Sequence, residues 1–567
     1  MDTIKIDESI KKLSTHKDKW AALPITEKIE LLKQVLKNLG DNTKSWVDIS
    51  ICNKHIESDS PWVGEEWTAG IWALAAGLNG YIETLSGLVN GHKPQFKKIR
   101  NGSGDRTILR IYPNNLIESL LLHGITADVW MKEGVTGENL DDHCAGFYKG
   151  KNPKGKVALV LGAGNANSIA SLDMLYRLIA HGQVVLLKLN PVNEYLGPIL
   201  EKIFEPFVSA GYIQFVYGSA DVGHYLVHHP EISEIHITGS SRTHDTIVFG
   251  MGEEGERNKE LHNPILNKPI TSELGGISPV IVVPGNWSET DIRFQAERIV
   301  TMKMHNCGFN CIAAQVLILP EKWKLKDTLL DAIRSVLKEL PVRRAWYPGA
   351  AERQKAAFAS HHLVETYGGG EVPSTLIVDI ASDNVNESSF NEEFFCAVLA
   401  QTTLSGDGPE EFLKNAVAFC NERLHGTLGA NIIIHPKTIK ESGKVLEQAV
   451  ADMHYGSIGI NVWSAVAFLL PQAPWGAYPD HTLNDVQSGI GVVHNSFLLE
   501  ETEKTVVKGS FYPFPRSVLH FDFSMLPKPP WFVTNKTAHV TARRFAQFTI
   551  DRNPALIPGI FASALRG

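Results

Sequence analysis

From residue 156 onward the chain alternates between two hydrophobic periodicities. KVALVLG (156–162), VVLLK (184–188), IQFVYG (213–218) and EIHITG (234–239) are short apolar runs of the kind found in strands buried on both faces. The segments 168–181 and 195–209 between them read as helices. A second alternation begins near 279. PVIVVPG (279–285), AQVLILP (314–320), STLIVDI (374–380), AVLAQTTL (397–404) and ANIIIHP (430–436) read as strands, and 289–305 and 409–422 as helices. Strands separated by helices at this spacing predict βαβ units and parallel sheets. The pattern therefore predicts two α/β domains with a boundary near 270, each able to bind ligands beyond the carboxyl ends of its strands. Before residue 156 the periodicity is helical. Leu31, Leu32, Val35, Leu36 and Leu39 share one face after Pro24, with Gly40 as the expected stop. Around 64–90, Trp67, Trp72 and Leu74 are expected in a core. After 510 the chain is rich in Phe, Pro and Arg, too apolar for a disordered linker, and is expected to pack on the body or on another subunit.

Composition narrows the class. The chain has 567 residues, is 43% hydrophobic and 20% charged, and carries a formal net charge of −8, which disfavours a general polyanion binder and predicts no nucleic-acid partner. Six cysteines in this length make no disulfide framework. Cys307 and Cys311 are four apart but lack the further ligands a zinc site needs. His224 with His228, and His361 with His362, are read as surface or packing residues, so no metal is expected. The mixed-charge start lacks the apolar core of a signal peptide, and no run of 18 apolar residues predicts a membrane span. A cytoplasmic setting with reduced thiols is expected.

The candidate chemistry lies at junctions between strands and helices. Gly162-Ala163-Gly164-Asn165 follows a strand and precedes a helix, and resembles the opening of a dinucleotide fingerprint without its third glycine. Thr238-Gly239-Ser240-Ser241 stands at another such junction, suited either to a phosphate or to plain helix capping. Glu273, in Ser272-Glu273-Leu274-Gly275-Gly276, is a carboxylate beside paired glycines, as a mobile general base or a solvated loop residue would be. Cys311, in Asn306-Cys307-Gly308-Phe309-Asn310-Cys311, is either a nucleophile or a buried inert thiol.

Together and in this order, these segments resemble the aldehyde dehydrogenase superfamily over roughly residues 150–510. The resemblance implies a Rossmann-type parallel-sheet cofactor domain, an α/β catalytic domain and a small oligomerisation element. It implies N-terminal helices and the NAD(P) domain over 1–270, with a possible oligomerisation hairpin near 140–157. The catalytic domain would span 271–480. Residues 481–567 would return to the cofactor domain, supply an oligomerisation strand and form a C-terminal extension. It also implies roles for individual residues. Asn165 matches the family's asparagine after the first strand, Lys188 the lysine at the adenosine ribose, and Gly239 and Ser240 the pair at the pyrophosphate. Glu273 matches the general base, and Cys311, rather than Cys307, the nucleophile. Glu393 and Phe395 match the acidic-aromatic motif at the nicotinamide ribose. Gly459-Ile460-Asn461 and Pro474-Trp475-Gly476 match motifs on the substrate side.

The implied activity is oxidation of an aldehyde by NAD or NADP through a Cys311 thioester. The oxyanion would be held by the Asn165 amide and the Cys311 N–H, and Glu273 would activate water. A homodimer or homotetramer is expected, since the family buries a hairpin and a C-terminal strand between subunits, and TVVKGSFYPF can supply the strand. The sequence departs from the family at Gly164, where tryptophan is usual, at Pro191, where NAD-preferring members often carry glutamate, at Arg242 and His244, and at Cys396-Ala397, where Gly-Pro is usual. Because Pro191 offers no acceptor for a ribose 2′-hydroxyl, NADP is expected to be accepted. Two alternatives remain: an acylating enzyme that passes the acyl group to coenzyme A, and a catalytically silent binding protein.

Overall fold

The computed structural model describes residues 3–520, 522 and 524–567. Two sheets organise the chain. The smaller has six strands in the order Gly489–Ile490, Ile270–Leu274, Glu234–Gly239, Val157–Leu161, Val184–Lys188, Ile213–Val216. All neighbours are parallel except the short first strand. Chain order reverses between Val157–Leu161 and Glu234–Gly239, which opens the crevice that doubly wound sheets use for ligands. The apolar runs are buried on both faces: Val184–Lys188 is covered along its whole length, partly by the N-terminal helix Thr3–Ala21.

The larger sheet has eleven strands. Seven run parallel in the order Thr502–Lys508, Ser457–Ile460, Gly429–Ile433, Ser278–Val282, Ala314–Pro320, Val398–Leu404, Ser374–Ile380. Val364–Tyr367 closes one edge antiparallel. The other edge carries Thr126–Met131, Thr107–Tyr112 and Ile99–Asn101, also antiparallel.

Thr502–Lys508 is therefore paired on both sides within one chain, with Thr505 opposite Val129 and Val506 beside Ile458. A strand expected between subunits is built into the chain's own sheet. The hairpin expected near 140–157 is not there. That polar, Gly- and Lys-rich stretch folds into two 3-10 turns, Leu140–His143 and Gly146–Lys149, while the antiparallel pair forms from the β-branched and aromatic TILRIY and TADVWM segments.

Gly40 does not stop the first long helix, which runs from Ile25 to Asn53. Its missing side chain instead leaves room for Ile550, whose Cγ2 would lie 3.2 Å from a Cβ there. Ile550 belongs to the helix Ala538–Asp551, so the segment after 510 packs on the body. Trp72 meets Phe545 with ring centroids 4.5 Å apart, Asn79 Nδ2 donates to Thr549 O at 2.7 Å, and Arg516 pairs with Asp291 at 2.7 Å. No helix among the described residues is long and apolar enough to cross a membrane.

Lys504 pins the strand Thr502–Lys508 to the helix Pro436–Asp452. Its Nζ is buried and donates to Val450 O, Ala451 O and Met453 O at 3.0, 2.9 and 2.7 Å, the orphan carbonyls at the end of the helix Pro436–Asp452. Glu503 lies 3.2 Å away. Lys504→Met keeps the length but removes all three bonds, and should lower unfolding stability by about 3–5 kcal/mol in denaturant titrations, as loss of one partner in a buried charged cluster does.

Candidate active site

The helix Glu289–Met304 opens with a Ser288–Asp291 capping box and delivers His305 to the start of the nucleophile loop. Asn306, Cys307 and Gly308 then adopt φ values of 54°, 57° and 79°. Two non-glycine residues held left-handed cost about 1–3 kcal/mol each, so the surroundings must impose the turn. Asn306 N donates to Glu65 Oε1 at 3.1 Å. The Asn306 amide donates to Asn165 O and Phe309 O, both at 3.1 Å. At Gly308 any side chain would strike Cys396 O at 2.6 Å. The turn sends the two thiols to different places. Cys307 lines a cavity with Met304, Val342 and Arg343, its Sγ 3.6 Å from Arg344 O. Cys311 lines a separate apolar pocket with Asn165, Trp463 and Trp475.

Asn165 follows the strand Val157–Leu161, and its Nδ2 donates to Phe309 O at 3.0 Å, tying the two loops together. The Gly164 before it is packed: a Cβ would lie 2.7 Å from Asn190 Oδ1 and 3.0 Å from Val192 Cβ, so the family's tryptophan would not fit.

Two adjacent carboxylates stand behind both loops. Glu66 accepts from Lys54 Nζ at 2.7 Å and from Asn167 Nδ2 at 2.9 Å, and Lys54 also reaches Asn165 O at 3.3 Å. Glu65 forks with Arg343, whose Nη1 lies 2.8 Å from Oε1. Burial pushes the Glu65 carboxyl up, but the Arg343 charge, with the bonds from Arg343 and Asn306 N, outweighs it and holds it down at about 2. Sequence reading missed both pairs, because two glutamates before a tryptophan-rich helix look solvated until the fold brings Lys54 and Arg343 to them.

Glu273 lies in a strand and not in a mobile loop, beside Thr238 on one side and Gly489 on the other. The paired glycines serve close packing. A Cβ on Gly275 would overlap the Glu393 carboxylate at 2.1 Å, and one on Gly276 would meet Ser488 Oγ at 2.6 Å. Glu273 is 2% exposed, and neither of its carboxyl oxygens has a hydrogen-bond partner among the described residues. It faces the Cys311 thiol and the Trp475 indole without forming a bond to either. Burial raises it to about 8, with Asp173 adding to the rise and Cys311 and Trp475 opposing it. Burial and then Glu273 raise Cys311 well above the usual thiol range. The resting pair is a thiol beside a carboxylic acid.

Glu393 completes this group. Burial raises it to about 8, against the pull of Lys303, while Glu273 adds to the rise. Phe395 stacks near Tyr347 and Phe309, with centroids at 5.1 and 5.9 Å. Lys303 is fully buried next to Cys396 and Glu393, and burial lowers it to about 8.

The remaining predicted residues lie in the crevice of the smaller sheet. Lys188 and Gly239 line a cleft of about 760 Å³ at the carboxyl ends of the parallel strands. Ser240 caps the helix Ser241–Phe249, accepting from Thr243 N at 3.2 Å. Asp221, His224 and His228 share that wall. The two histidines stack with centroids 4.6 Å apart. His361 is a packing residue bonded to Glu387 at 2.7 Å, and no group of metal-binding side chains occurs among the described residues. Asp221 was missed because it follows the third strand, one crossover away from the Lys188 motif.

Residues 129–364 match the family model described as "Aldehyde dehydrogenase family". The chain is 25% identical over 402 residues to an aldehyde dehydrogenase of Craterostigma plantagineum, covering 67% of this chain and 75% of that protein. It is also 25% identical over 384 residues to aldehyde dehydrogenase family 3 member F1 of Arabidopsis thaliana, covering 64% and 72%. Its fold matches the crystal structure of a Mycobacterium tuberculosis aldehyde dehydrogenase complexed with NAD+, with a TM-score of 0.59, 18% identity and 90% of each chain covered.

Residues 129–364 thus match the aldehyde dehydrogenase family, and the chain has the fold of the aldehyde dehydrogenase structures it resembles. The protonation of Glu273 can be read by titration. With Glu273 protonated below about 8 and ionised above, a step that needs its carboxylate speeds up as pH rises through that value. The turnover number for an aldehyde should climb between about pH 7 and 9. Glu273→Gln should abolish the climb, which a pH–rate profile on both proteins will reveal.

Proposed function

We propose that the chain oxidises an aldehyde to a carboxylic acid with a nicotinamide cofactor, through a thioester on Cys311. The observation that carries this reading is the buried, unbonded Glu273 carboxyl facing the Cys311 thiol inside a pocket that also holds Asn165. Ionised Glu273 takes the thiol proton, and the thiolate adds to the aldehyde carbon. The second N–H of the Asn165 amide and the Cys311 backbone N–H stabilise the alkoxide. The oxidised nicotinamide, when bound, supplies the hydride acceptor. Loss of hydride leaves the acyl group on sulfur. Glu273 releases the thiol proton to solvent, then accepts a proton from the water that cleaves the thioester; the acid leaves, and Glu273 returns that proton to the sulfur.

The residues of this cleft fit the cofactor. Gly239 leaves the strand end open, since a Cβ there would meet only its own strand's Ile237. The first N–H groups of the helix behind Ser240 suit a diphosphate. Lys188 would lie at the adenosine ribose, and Glu393 and Phe395 at the nicotinamide ribose. Pro191 offers no acceptor, but Asp221 supplies a carboxylate on the same cleft wall as Lys188. That carboxylate suits a ribose 2′-hydroxyl and repels a 2′-phosphate, which favours NAD over NADP. A homodimer or homotetramer would be built on surfaces other than the strand Thr502–Lys508.

Two experiments test these assignments. Glu273→Gln, mixed with aldehyde and NAD, should release reduced cofactor slowly, since the thiol has lost its base, up to about one per site, with steady turnover lowered by about 10²–10⁴-fold and the acyl group on Cys311 found by mass spectrometry. Cys311→Ala should give neither phase. Normal turnover by Glu273→Gln, with acceleration of the wild type by coenzyme A, would assign the acylating reaction instead. For the cofactor, protein-fluorescence titration should give NAD binding at least about tenfold tighter than NADP, ~1.4 kcal/mol, and Asp221→Ser should narrow that gap.

A further inference from the structure

The pocket in front of Cys311 has an unusual chemical make-up. Its walls are Ile169, Val466, Phe468 and the indoles of Trp463, Trp475 and Trp531, the last brought in by the segment after 510. Among the described residues, no lysine, arginine, aspartate or glutamate lines it. An anionic substrate would therefore leave water without a counter-ion in contact, at a cost of several kcal/mol. Flat aromatic walls favour a flat, unsaturated guest.

Of the polar groups on this lining, Asn165 and Asn310 are bonded within the protein, whereas His305 and Thr68 each carry a buried atom without a partner, as does the Trp475 indole that faces Glu273. His305 lines the pocket, stacks edge-on to Trp463 with centroids 5.3 Å apart, and has a buried Nδ1 with no hydrogen-bond partner. Thr68 lines it from the π-helical turn Trp67–Trp72, and its Oγ1 is likewise buried without a partner. A helical threonine ordinarily turns its hydroxyl back to a carbonyl of the preceding turn. π-helical turns are frequent at functional sites. Buried polar atoms left unpaired are uncommon enough to need a reason, and two on one small pocket share a reason if a ligand satisfies both. Burial keeps His305 neutral, with Glu65 opposing, so its ring offers one donor and one acceptor and suits a neutral partner.

We propose that the aldehyde oxidised at Cys311 is an uncharged aromatic aldehyde carrying a ring hydroxyl, and that His305 and Thr68 read this hydroxyl while the indoles hold the ring. The proposal rests on the thioester reading above and adds the substrate class. A site that leaves its own polar groups unpaired rejects analogues lacking the matching group.

The test compares benzaldehyde, 3- and 4-hydroxybenzaldehyde and 4-carboxybenzaldehyde on the wild type with NAD. At least one hydroxybenzaldehyde should exceed benzaldehyde in kcat/KM by about tenfold or more, and the carboxylate should fall below both. In His305→Phe and in Thr68→Val, the ratio of hydroxylated to unsubstituted substrate should collapse toward one. Quenching of tryptophan fluorescence by hydroxybenzyl alcohols against benzyl alcohol gives a readout independent of turnover, and should show the same preference and the same loss. Benzaldehyde turned over as well as its hydroxylated forms, or the carboxylate preferred, overturns the substrate class and leaves the thioester reading intact. If no aldehyde, including simple alkanals, acylates Cys311, the thioester reading falls and the substrate class with it.

Discussion

Glu65 and Glu66 are neighbours in sequence, both are buried, and each survives there only by meeting its own cation. An ionised carboxylate stripped of water costs several kcal/mol unless it is paired and bonded. Glu66 satisfies this with Lys54 and Asn167, at side-chain exposures of 2–3% for the ion pair. Glu65 satisfies it with Arg343 and the backbone of Asn306. The same bonds hold the reaction centre. Lys54 reaches the carbonyl of Asn165, and Glu65 takes the N–H at the start of the left-handed turn that aims Cys311. The N-terminal helices are thus part of the apparatus that shapes the site. Trp346 and Trp62, 4.6 Å from Lys54 Nζ and from the Arg343 guanidinium, seal the two pairs from solvent.

Around that scaffold the ionisable groups are held in unreactive forms. Glu273 has no bond to stabilise its charge, and the thiol beside it, which opens onto the pocket, is held in its neutral form by burial and by Glu273. Two groups that each resist ionisation are mutually matched, because a proton leaving sulfur has an acceptor facing it. Glu393, close to both, ties this balance to the wall of the cofactor cleft, since its own charge bears on Glu273 and Cys311 alike.

Much of this was legible in the residues. Buried parallel strands are continuous apolar runs, so VVLLK and AQVLILP declared themselves, and Asn165, Glu273 and Cys311 stood at junctions where such sheets place chemistry. The structure brings Asn165 and Cys311 to one pocket and sets Glu273 behind it, facing the thiol. What failed to show were features decided by distant partners. Gly40 looks like a helix stop, yet a residue more than 500 positions away fills its place. Glu273 looks like a loop residue because the strand it joins is completed by Gly489–Ile490. The apolar residues after 510 signalled packing but not destination, and nothing near Trp531 in sequence says that it faces Cys311. His305 reads as a residue beside a motif until the neighbours that leave its nitrogen unpaired are known.

The place of Thr502–Lys508 in the larger sheet bears on how the molecule is made. The strand separates Ser457–Ile460 from Thr126–Met131, so an antiparallel unit synthesised early has no partner on that side until residues beyond 500 emerge. Trp531 joins the pocket later still. During synthesis the exposed edge of Thr126–Met131 is a template for any free strand, the situation in which growing chains aggregate or exchange elements. Loop closure across more than 370 residues makes this the slowest join in the sheet, consistent with the general cost of distant pairings. The pocket in front of Cys311 is therefore a late product of folding, and a chain halted before residue 531 is released with Cys311 present and that pocket unroofed.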